Sequence, residues 1–89
     1  MVNEFLIKEF GDRIRLLRIE KKISQEALSF LTGFHRTYIG MIERGERNIS
    51  LTNMAVFAKV FELNLSQLLD FEFVNPNHNF NDYETKTEE

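Results

Sequence analysis

The chain of 89 residues has no cysteine, a single proline (Pro76), four glycines and two histidines. Without cysteine there are no disulfides, no zinc sites built on thiolates and no thiol nucleophiles, and a reducing cytosol, hence a cytoplasmic location, is the natural expectation. No apolar run approaches the roughly 20 residues needed to cross a bilayer. The opening MVNEFLIKEFGDR carries acids and lacks the basic start and cleavage site of a signal peptide. Neither His35 nor His78 is accompanied by cysteine or clustered acids, so no metal site is expected. Paired carboxylates, a Ser/His arrangement and a glycine-rich phosphate loop are all missing too. Catalysis has nothing to rest on, and no cofactor or small-molecule ligand is expected.

Charge of one sign is scarce where it would matter least. The formal net charge is -3, but residues 1–70 hold ten basic and nine acidic residues, and residues 71–89 hold one lysine and five acids. Within residues 13–47 there are eight basic residues against four acidic. The net acidity belongs mostly to the tail, and the body has a locally basic third that leaves nucleic acid open as a partner. The length suits one domain, here residues 1–74, followed by an acidic, polar tail, 75–89, expected to be disordered by composition. Phe80 and Tyr83 are the only large apolar groups of that tail.

Strand alternation is almost absent, apart from Phe71 to Val74. Helix formers dominate as far as Leu69. A first helix is expected over 4–22, with Ile7, Phe10, Ile14 and Leu17 in one apolar stripe and Gly11 weakening it locally. Ser24 can cap a second, Gln25 to Thr32, with Leu28 and Leu31 on one face, and Gly33 ends it. A third runs from Arg36 to Arg44 and stops at Gly45. Ser50 or Thr52 can cap a fourth, Leu51 to Glu62, whose inward face is Met54, Phe57, Ala58 and Phe61. Ser66 can cap a short fifth through Leu69 or Asp70, with Leu68 and Leu69 inward. The fold class is therefore all-α, five short helices. The second and third are separated only by Gly33, Phe34 and His35, a helix-turn-helix spacing.

The stretch FHRTYIGMIERGER, Phe34 to Arg47, holds most of the chemistry. Ile39 and Ile42 should face the core with Phe34. Arg36, Gly40 and Arg44 lie on the other side, beside Thr37 and Met41. Such a face can enter the major groove: arginine can donate twice to guanine, threonine can bond a base edge, and a glycine adds no bulk at a close approach. Gln25 at a helix start, and Arg44, Arg47, Asn48 and Ser50 after the third helix, can hold phosphate. Spacing alone fits an ordinary solvated face equally well.

In order and spacing, SQEALSFLTGFHRTYIGMIERGER followed by NISLTNMAVFAKVFELNLSQLLDF closely resembles the phage-repressor-like, or XRE, helix-turn-helix family over residues 10–70. The runs His35 to Ile39, Ile42 to Arg44 and Arg47 to Ser50 look most like the controller proteins of restriction-modification systems. The resemblance implies a five-helix DNA-binding domain acting as a small dimer on double-stranded operator DNA. It implies base-proximal roles for Arg36, Thr37 and Tyr38, and an ion pair between Arg18 and Glu43 that ties the first helix to the third. His35 stands where many relatives have a better helix cap, and Gly40 and Met41 lack hydrogen-bonding side chains that some relatives use. A phage or plasmid repressor, or an antitoxin, would share the fold. A helical module that binds only protein is the alternative of a different class.

Apolar residues after the fourth helix exceed what one small core needs, so a homodimer is expected, a thicker monomer core being the alternative. Leu65, Leu68, Leu69, Phe71 and Phe73 form its interface in this reading. Activation would further require a surface for RNA polymerase, for which acidic Glu26 near the start of the second helix is the candidate.

Overall fold

The computed structural model describes residues 4–73, and the expected tail, with Phe80 and Tyr83, lies outside the described residues. Five helices follow in order: α1 (Glu4–Glu20), α2 (Gln25–Thr32), α3 (Arg36–Glu43), α4 (Leu51–Val60) and α5 (Leu65–Leu68). There is no strand among the described residues. Phe71–Phe73, where the sequence hinted at alternation, forms a single 3-10 turn.

The helix boundaries follow from local chemistry. Ser24 Oγ accepts from Ala27 N at 3.0 Å and starts α2. Gly33, at φ 82°, ends it. Ser50, not Thr52, caps α4 by accepting from Asn53 N at 3.1 Å. α3 and α5 stop a residue or two earlier than the sequence suggests, and α1 and α4 two residues earlier. Lys22 (φ 61°) and Glu62 (φ 59°) turn left-handed without being glycine. Ile23 N then reaches back to Arg18 O, and Leu63 N to Ala58 O, satisfying carbonyls the helices leave open. The cap of α5 is Asn64 rather than Ser66. Asn64 accepts from Gln67 N at 2.8 Å while Gln67 Oε1 accepts from Asn64 N at 2.9 Å, a reciprocal box. Ser66 only donates its hydroxyl to Asn64 Oδ1.

Ile14, Leu28, Ile39, Ile42, Phe57 and Leu68 are fully enclosed, with Phe10, Ala58 and Phe71 around them. Each such aliphatic or aromatic side chain contributes about 1.5–3 kcal/mol on burial. Leu31, expected inward, is 53% exposed, and Phe30 beside it 81%. The two-turn helix α2 buries Leu28 alone. At the other end of the chain Leu68 and Phe71 belong to the chain's own core, which corrects their assignment to a dimer interface. Leu68 is held there because Arg13, itself buried, caps α5: its Nε donates to Leu68 O at 3.1 Å and its Nη2 to Gln67 O at 2.7 Å.

α1 lies against the end of α3 with almost nothing between them. A Cβ on Gly11 would stand 2.8 Å from the Glu43 carbonyl oxygen and closer still to that of Ile42. A Cβ on Gly45 would stand 3.0 Å from the Cα of Lys8. The reading-helix candidate is thus seated on α1 through backbone contact.

Candidate nucleic-acid interface

α2 and α3 are joined by Gly33, Phe34 and His35. Ser29 Oγ donates to Phe34 O, and Phe34 N donates to Thr32 Oγ1 at 3.1 Å, so the turn is fixed from the α2 side. His35 caps α3 by accepting at Nδ1 from Thr37 N at 3.0 Å. Ile39 and Ile42 anchor the helix in the core. Arg36 and Thr37, at its start, are exposed.

The clamp behind α3 has three members. Arg18 donates from Nε to Glu43 Oε2 at 2.7 Å and from Nη2 to Glu43 Oε1 at 3.0 Å, while its Nη1 donates to Ile23 O. Gln25 Nε2 donates to the same Glu43 Oε1 at 3.1 Å. The Glu43 side chain is only 3% exposed. A buried carboxylate needs such company, because an unpaired one is costly to desolvate. One residue therefore joins α1, the start of α2 and the end of α3.

Tyr38 has partners inside the protein. Its ring packs edge-on against Phe34 at 5.1 Å, its hydroxyl accepts from Asn53 Nδ2 at 3.0 Å, and the Arg47 guanidinium lies 5.6 Å above its face. It is half-buried, unlike Arg36 and Thr37. Asn53, on the first turn of α4, was not singled out from the sequence, since its role depends on where α4 lands.

Gly40 is not on the open outward face. It is buried, with the Arg44 guanidinium one turn later and Gln25 Oε1 both close to where a side chain would stand. A Cβ there would meet Arg44 Nη1 at 3.0 Å. Arg44, Arg47, Asn48 and Ser50 are exposed, whereas Gln25 is half-buried. Arg44 is engaged by Glu46, a residue the sequence reading passed over: Nε donates to Oε2 at 2.9 Å and Nη2 to Oε1 at 3.1 Å. These hydrogen bonds hold the Glu46 carboxyl below its usual range and the Arg44 guanidinium above its own. Among the described residues there is no cluster of His, Asp and Glu that could hold a metal. No helix among them is long and apolar enough to cross a membrane.

Residues 14–68, which carry α2, α3 and the turn between them, match the helix-turn-helix family HTH_3. The chain belongs to the HTH_3 family. Within it, the chain is 46% identical over 63 residues to the control protein C.BamHI of Bacillus amyloliquefaciens, covering 70% of this chain and 78% of that protein. It is 41% identical over 64 residues to the control protein C.SmaI of Serratia marcescens, covering 71% and 76%. Among solved structures, the restriction-modification controller protein C.AhdI from Aeromonas hydrophila shares 44% identity with a TM-score of 0.67, over 70% of this chain and 94% of that one. The controller protein C.Esp1396I, solved as a tetramer in complex with its natural 35-base-pair operator, shares 30% identity with a TM-score of 0.69, over 80% and 97%. This HTH_3 chain thus has the all-helical fold of the controller proteins and resembles them in sequence.

Proposed function

We infer that the protein is a sequence-specific DNA-binding regulator of transcription, not an enzyme, and the controller of a restriction-modification operon in the cytoplasm. The observation that carries this is the exposed edge of α3: Arg36 and Thr37 stand free on a helix clamped from behind by Arg18, Gln25 and Glu43, with Arg44, Arg47, Asn48 and Ser50 exposed beyond its end. Its similarity to controller proteins, one of them solved on its operator, supports the same reading.

In this reading Arg36 donates twice to a guanine in the major groove, and Thr37 bonds a base edge or meets a thymine methyl. Arg44, Arg47, Asn48 and Ser50 grip phosphates, the Ser50 hydroxyl donating while it still caps α4. Tyr38 acts on DNA by fixing Arg47 beneath the backbone. Two subunits place two α3 helices about 34 Å apart, one turn of DNA, on an imperfect palindrome. Glu26, exposed on α2 one turn before Phe30, is the group to substitute when asking whether RNA polymerase is also contacted.

A footprint on the DNA upstream of the protein's own gene tests the function. A protected palindrome is expected, and uniform or absent protection counts against sequence-specific regulation. Arg36→Ala should weaken operator binding by about 1–3 kcal/mol and relax preference at one base pair. Equal loss on operator and random duplex would make Arg36 a phosphate contact instead.

A further inference from the structure

We propose that Glu46 is an internal competitor for the DNA backbone: it occupies the fork of Arg44, and a phosphate must displace it. The proposal rests on the DNA-binding reading and deepens it. The Arg44 guanidinium offers a planar edge, Nε and Nη2, that suits either a carboxylate or a phosphate in a two-bond grip. Glu46 already fills that edge with both oxygens, at 2.9 and 3.1 Å. The remaining nitrogen, Nη1, is turned onto Gly40. The edge best shaped for phosphate is thus closed in the free protein.

Nothing suggests that the pair exists to hold the fold. The two side chains are 57% and 49% exposed, and exposed pairs contribute little to stability. What places Glu46 is the backbone. Gly45 turns left-handed, Glu46 N donates back to Met41 O at 2.8 Å, and the side chain at 46 is brought alongside the one at 44. Exchange replaces one anion by another on Arg44 and leaves the freed carboxylate beside the phosphates. That carboxylate then draws in a cation, cancelling part of the counterion release that drives binding.

The test uses the full chain with its operator duplex and a random duplex of equal length, across a salt series. Glu46→Gln should tighten binding to both by a similar factor, on the order of tenfold for a dimer at 0.1 M salt, and steepen the logarithmic salt dependence by about one unit or less per subunit. Glu62→Gln, an exposed acid outside α2 and α3, measures the effect of net charge alone. In an Arg44→Ala background, and separately in Arg44→Gln, the gain from Glu46→Gln should shrink to that of Glu62→Gln. Unchanged affinity in Glu46→Gln overturns the proposal, as does a gain that persists in full without Arg44. If the unsubstituted protein binds neither duplex, the DNA-binding reading itself falls, and this proposal with it.

Discussion

At the scale of single residues, glycines divide the legible from the illegible. Gly33 and Gly45 take positive φ and end helices, as their places after α2 and α3 suggest. Gly11 looks in sequence like a cost of about 1 kcal/mol in the middle of a helix. In the fold it is the point where two backbones touch. Gly11→Ala should therefore destabilise the protein despite its better helix propensity, by about 1–3 kcal/mol. That corresponds to a fall of roughly 4–24 °C in melting temperature for a domain of this size, readable by circular dichroism. A rise in melting temperature would mean that α1 can move off α3 cheaply. Gly40 shows the same limit in another form: helical spacing put it on the outward face, but the folding-over of Arg44 cannot be read from spacing. The Arg18–Glu43 pair came through family resemblance, and no pattern of charge alone would have selected those two residues from 25 basic and acidic ones.

At the scale of elements, all five helices and both ends of α2 were legible from apolar spacing and cap chemistry, while the C-terminal ends of α1 and α4 were not. Lys22 and Glu62 adopt a conformation that sequence associates with glycine, because the closing bonds to Arg18 O and Ala58 O repay it. α5 illustrates how much a cap decides. Four residues make too short a helix to persist unaided, and its start rests on Asn64 and Gln67, its end on Arg13. Asn64→Ala should cost about 1 kcal/mol in a urea melt, and Ser66→Ala distinctly less, since Ser66 bonds no backbone amide. Equal costs would return the cap to Ser66.

At the scale of the whole molecule, the excess of apolar residues after α4 was visible, but its division between core and surface was not. Leu68 and Phe71 fill the chain's own interior, and Leu65 is half-buried. Leu69 remains 38% exposed and Leu51, which the sequence reading did not consider, 65% exposed. Leu69 also lines an apolar hollow of about 190 Å³ with Ile49, Met54 and Phe71. The Phe73 side chain lies outside what the structure describes. A homodimer built on Leu69 and Leu51 predicts that Leu69→Glu and Leu51→Glu each sediment as monomers at micromolar concentration while still melting cooperatively. Operator binding should fall to that of a single half-site. Dimers persisting in both variants would place the interface elsewhere.

The meeting of α1 and α3 at Gly11 and Gly45 also bears on how operators are told apart. Backbone resting on backbone has no rotamers with which to adjust, which leaves α3 little freedom to tilt on α1 by itself. In the proposed dimer on DNA, accommodation then falls to the joint between subunits and to the duplex, which must bend or twist toward a rigid template. Sequence preference in such a system extends to base pairs that no side chain reaches, through the energy of deforming them.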